Sequence, residues 1–122
     1  MTIFEQIGGG DVIASAVDEF YERVLDDAEL APSFTLIDID RLKAHQRAFL
    51  TVALDGPQTY DGRSLIEAHA GLGITSQQFE RSVRHLVATF VGMHVDPEIV
   101  EEVAARLELL RPEIVERQVR AS

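Results

Sequence analysis

Cysteine and tryptophan are absent from this 122-residue chain, and only 4 prolines and 8 glycines interrupt it. Without cysteine there is no disulfide framework, no thiolate metal site and no thioether-anchored cofactor. No apolar run is longer than a few residues, so nothing is expected to span a membrane. The opening Met1-Thr2-Ile3-Phe4-Glu5 has neither a basic region nor a long apolar stretch. No secretory signal is expected, therefore, and the cytoplasm is the expected compartment. Basic charge is also scarce: 11 Lys and Arg stand against 21 Asp and Glu, for a formal net charge of −10. Both halves of the chain are acidic, with no basic stripe to neutralise a phosphate backbone, which excludes nucleic acid as a partner. The acidity favours solubility and suits a basic protein partner.

Period-two alternation is missing too, and helical periodicity takes its place. Thr2-Ile3-Phe4-Glu5 forms a capping box that opens a very short helix, stopped by Gly8-Gly9-Gly10. Asp11 leads into a helix with Val12, Ala16, Val17, Phe20, Tyr21, Val24 and Leu25 on its apolar face, fading near Asp26-Asp27. Residues 29–37, with Pro32 and Phe34, read as a turn with at most a short helix. Asp38 caps the next helix, which runs to about Leu54 with Leu42, Gln46, Phe49, Leu50 and Ala53 on one side. Asp55-Gly56-Pro57 ends it. A second capping box, Ser64-Leu65-Ile66-Glu67, opens a helix ending at Gly71. A third, Thr75-Ser76-Gln77-Gln78, opens one bearing Phe79, Val83, Leu86, Val87 and Phe90. Asp96-Pro97 then starts a last helix with Val100, Val103, Leu107, Leu110 and Ile114, kinked by Pro112. At 46% apolar residues, residues 1–122 are expected to form a single all-α domain of four substantial and two short helices.

Few positions carry chemistry. His69 shares an apolar stripe with Leu65 and Ile66, so it is either a core histidine satisfied by a carbonyl or a ligand. Gln46 sits on a face that should be apolar; a buried amide there needs a polar ligand or a local network. Tyr21 carries the same ambiguity on the second helix. His45 can face inward or sit at the rim, while His85 and His94 read as surface residues. The carboxylates fall on solvent faces. No H-E-x-x-H, G-x-S-x-G or phosphate-loop pattern occurs.

In their order and spacing these residues resemble the truncated (two-over-two) haemoglobins of the first group over nearly the whole chain. The resemblance rests on several segments together. They are Gly8-Gly9 after a stub helix, Phe20-Tyr21-Glu22-Arg23-Val24-Leu25, Phe34, and the distal-type helix Leu42-Lys43-Ala44-His45-Gln46-Arg47-Ala48-Phe49-Leu50. Glu67-Ala68-His69 followed by Gly73-Ile74-Thr75 completes the set. Two departures stand out. Asp55-Gly56 replaces the second Gly-Gly common in the family, which implies a less free loop. No histidine follows His94, so the covalent haem link of some cyanobacterial members is not expected.

The resemblance implies a two-over-two helical sandwich around a non-covalent haem b. His69 would be the proximal iron ligand, and Tyr21 and Gln46 would be distal donors to bound O2, NO or CO. Each hydrogen bond to a charged acceptor contributes about 1.5–3 kcal/mol. Two would slow O2 release by about two to four orders of magnitude, which favours slow-release chemistry over oxygen delivery. Phe34, Phe49 and Phe79 would exclude water, with Leu42, Leu65 and Ile74 lining the pocket and Arg41, Lys43 or Arg63 meeting the propionates. Ala44-His45-Gln46 resembles cyanobacterial-type members in which that histidine is a second, distal iron ligand; otherwise His45 is a rim residue. Two functions follow: conversion of O2 and NO to nitrate with the help of a separate reductase, or ligand sensing or electron transfer by a bis-histidine protein without turnover. A monomer or weak homo-oligomer is expected. The chain is short for a globin, so the cofactor should complete its core.

Overall fold

A computed structural model describes residues 2–56 and 75–115. All regular structure among them is helical: α1 (Ile3–Ile7), α2 (Gly10–Leu25), a 3-10 turn (Ala31–Phe34), α3 (Ile39–Ala53), α4 (Ser76–Gly92), α5 (Pro97–Leu109) and α6 (Arg111–Ile114). The helix expected from Ser64 to Gly71 lies outside the described residues. None of the described helices is long and apolar enough to cross a membrane.

Local chemistry explains most boundaries. The Thr2 side chain accepts from the Glu5 amide while the Glu5 carboxylate accepts from the Thr2 amide, the reciprocal box expected at α1. Gly8 ends α1 in the left-handed region at φ 119°, where a Cβ would strike the Val12 side chain. The helix that follows begins one residue earlier than Asp11, at Gly10, with Gly9 as its N-cap. Asp38 caps α3 by accepting from the Arg41 amide. Thr75 and Gln78 close a second complete box on α4, and Asp96 with Pro97 opens α5.

The last helix departs from expectation. It does not kink and continue to Ile114; it stops at Leu109, and one separate turn follows from Arg111. Pro112 has no N–H and its ring crowds the carbonyl four residues back, so the hydrogen-bond ladder cannot pass this point.

Helix α2 is central: it packs on both α3 and α4, while α4 packs on α5 and α5 on α1. Its buried side carries Ile13, Ala16, Val17, Phe20, Tyr21 and Val24. The expected stripe is thus rotated slightly. Ile13 replaces Val12 as the inward residue, and Leu25 is 41% exposed at the helix end. Phe49, Leu50 and Leu54 meet this face from α3, and Phe79, Leu86 and Phe90 from α4. The Phe4 amide donates to the Leu54 carbonyl at 3.0 Å, which joins α1 to the end of α3.

Just beyond that junction, Asp55 adopts φ 68°. Its carboxylate lies 2.8 Å from the Arg106 guanidinium, which also donates to the Ala53 carbonyl at 3.2 Å. The loop that was expected to lose freedom relative to a Gly-Gly pair is thereby tied to α5.

Candidate functional site

The site begins with the inward face of α2. Tyr21 is only 3% exposed. Its ring stands edge-on to Phe20, with centroids 4.9 Å apart, and edge-on to Phe34 at 6.1 Å. The T-shaped geometry matches ring edges to ring faces and fixes the phenol's direction. Burial pushes the Tyr21 hydroxyl well above the usual phenol range, so it stays protonated and available as a donor. Among the described residues it has no hydrogen-bond partner.

Helix α3 supplies the facing wall. Leu42, His45, Gln46 and Phe49 are spaced by three, one and three residues, so they share one side of the helix. Phe49 is buried, while Leu42, His45 and Gln46 are half-buried. A cavity of about 260 Å³ adjoins this helix's C-terminal end. Phe49, Val52, Leu109 and Leu110 line it, with Asp55 and Arg106.

Phe34 lies at the end of the 3-10 turn, half-buried against the core. Phe79 is buried in the first turn of α4, and the Arg111 guanidinium covers it 4.9 Å from the ring centroid. Arg41 is exposed in the first turn of α3. Lys43, another cation expected at the rim, reaches Asp18 on α2 at 3.3 Å. His69, Arg63, Leu65 and Ile74 lie outside the described residues.

Two expectations need correction. Asp27 does not face solvent. It is 9% exposed, and its carboxylate Oδ2 accepts from Arg81 Nε at 2.6 Å and from His85 Nε2 at 2.7 Å. His85, accordingly, is a half-buried partner of Asp27 rather than a surface residue. The hydrogen bond from Arg81, then that from His85, hold the Asp27 carboxyl well below the usual carboxylate range. The partners lie 54 and 58 positions away in the chain. Periodicity along one helix carries no signal of such a cluster. His94, in contrast, is exposed as expected.

The model of the bacterial-like globin family matches residues 2–116. The chain belongs to that family. Among its relatives, a group 1 truncated haemoglobin from Synechocystis is 41% identical over 108 residues, covering 85% of this chain and 87% of the relative. The solved structure of the truncated haemoglobin from Tetrahymena pyriformis in its Fe(III) form superposes with a TM-score of 0.87. It is 32% identical, and the match covers 96% of this chain and all of that one. A 2/2 haemoglobin from Synechococcus, solved with covalently attached haem, superposes with a TM-score of 0.82 at 26% identity, over 94% and 98% of the two chains. The all-helical arrangement of this globin is thus the truncated haemoglobin fold. As a globin it is a haem protein, and the b-type, non-covalent form is the usual one. The described residues fit that group: aromatic rings frame the site, and Tyr21 presents a buried donor without an acceptor among the described residues.

Proposed function

We propose that this globin, a single domain over residues 1–122, binds O2 reversibly, with NO and CO as further ligands, and removes NO. The carrying observation is the Tyr21 hydroxyl, buried, protonated and without a partner among the described residues. A buried donor left unpaired costs about 1–3 kcal/mol. That cost is relieved when an acceptor enters the site, and a diatomic ligand carrying partial negative charge is such an acceptor.

Haem, when bound, would supply an iron able to take a diatomic ligand. In this reading His69 would hold the iron as its proximal ligand. Tyr21 and Gln46 donate to the ligand from the distal side. Phe34, Leu42, Phe49 and Phe79, with Leu65 and Ile74, exclude water from it. Arg41 and Arg63 meet the propionates. The overall reaction, NO with O2 and one electron giving nitrate, requires an electron from a separate reductase, and the acidic chain suits a basic face on it. The cytoplasm is the proposed compartment, with the protein as a monomer or weak homo-oligomer.

The test uses protein reconstituted with haemin and reduced. Tyr21→Phe should speed O2 dissociation about ten- to a hundredfold, and NO should consume the O2 complex with nitrate as product. An unchanged dissociation rate would sink the distal role of Tyr21.

A second reading rests on His45, which is half-buried on the same side of α3 as Gln46 and Phe49. Here His45 and His69 both bind the iron, and the protein senses ligands or transfers electrons without turnover. External affinity then falls with the fraction of open site. Ferric and reduced absorption spectra decide: low-spin wild type turning high-spin in His45→Ala supports this reading, and high-spin spectra in both reject it.

A further inference from the structure

The turn between α2 and α3 is held from α4. The Asp27 carbonyl accepts from the Leu30 and Ala31 amides at 3.0 and 2.8 Å. Its carboxylate Oδ1 accepts from the Glu29 amide at 2.9 Å, and Oδ2 receives Arg81 and His85. A second tie lies further along the turn, where Gln78 Nε2 meets Ser33 Oγ at 3.4 Å. Gln78, Arg81 and His85 are spaced by three and four, so one stripe of α4 makes all these contacts. The residue after Ser33 is Phe34, which stands edge-on to Tyr21.

We infer that Asp27, clamped by Arg81 and His85, is a positioning residue for the distal site: it fixes the turn that carries Phe34, and through Phe34 the direction of the Tyr21 hydroxyl. The inference rests on the distal role proposed above for Tyr21. Shape alone does not supply this restraint at Asp27. Both carboxylate oxygens are used, one toward the turn and one toward α4, so an amide at this position, with a single acceptor oxygen, cannot serve both. The competing view is that the buried Leu30 anchors the turn without help.

The test compares wild type, Asp27→Asn and Tyr21→Phe with the double variant, all loaded with haem. A fifth protein, Arg81→Gln/His85→Ala, removes the clamp from the α4 side should Asp27→Asn fail to fold. Three quantities are read: the O2 dissociation rate, the C–O stretching frequency of the CO complex, and hydrogen exchange at the Leu30 and Ala31 amides. Loss of the clamp should raise the dissociation rate about threefold or more, within the range typical of residues acting through neighbours. The C–O frequency should move toward its value in Tyr21→Phe, and the two amides should exchange faster. In the Tyr21→Phe background, Asp27→Asn should change the rate no further, because both act through one hydroxyl. A wild-type rate and C–O frequency in the clamp variants, with both altered in Tyr21→Phe, would overturn the inference and leave Leu30 as the anchor. Additive effects in the double variant would overturn it as well. Were Tyr21→Phe itself to change neither quantity, the proposed distal role would fall, and this inference with it.

Discussion

Burial disfavours the charged form of both Tyr21 and Asp27, yet their acidities move in opposite directions. Tyr21 has no charged neighbour to offset desolvation, so its acidity is suppressed and it remains a neutral donor across the physiological range. Asp27 loses water as well, but Arg81 and His85 more than compensate, and it remains a carboxylate. A carboxyl group whose folded pKa lies below its unfolded one stabilises the fold fully above the ordinary carboxylate range. That contribution is lost as pH falls through this range toward the folded value. Urea unfolding midpoints should therefore drop less between about pH 7 and pH 3 in Asp27→Asn than in wild type. An equal drop in both proteins would show that the cluster contributes nothing to acid stability.

At the scale of the helices, the first turn of α4 concentrates several functions. Thr75 and Gln78 cap it, Phe79 enters the core from it, and Arg111 lies over that ring while pairing with Glu80 and Glu108. Thr75→Ala leaves the Gln78 amide without its acceptor and should cost about 1 kcal/mol of stability, measured by urea denaturation; no loss would mean that packing alone sets the helix start. Caps of this kind were legible because their chemistry spans only three residues. Thr2 with Glu5, Thr75 with Gln78 and Asp38 before α3 all appear in the sequence as they do in the structure. The break at Leu110 was only half legible. Pro112 announced a disturbance, but whether a helix bends or ends depends on what replaces the missing bonds. The Asp27 cluster was not legible at all, because its members come from a turn and a distant helix. Likewise, the choice of Ile13 over Val12 for the interior is a small rotation of α2, set by its packing against α3 and α4. Tyr21 and Phe34 were readable as site residues only through the family resemblance, since an aromatic residue on an apolar stripe is ordinary core.

For the molecule as a whole, a globin of 122 residues is expected to share its core with the cofactor. A ligand that binds only the folded state stabilises it by about 4 kcal/mol when present at a thousand times its dissociation constant. Removing haem should therefore lower the thermal midpoint, and His69→Ala should retain haem poorly and melt close to the apo-protein. A mutant with the same midpoint and haem content as wild type would contradict the assignment of His69. Among the described residues, several ion pairs join distant parts of the chain, and those with solvent-exposed partners contribute at most about 1 kcal/mol each. The contact between Asp55 and Arg106 belongs to that class energetically, yet it constrains which sequences can occupy this fold. Position 55 holds a left-handed backbone, which glycine, asparagine and aspartate accept most readily. Of these three, only aspartate offers a charge to Arg106. Across descendants of this chain, glycine at 55 should therefore free position 106 to drift away from arginine, so that the two positions vary together although 50 residues of chain separate them.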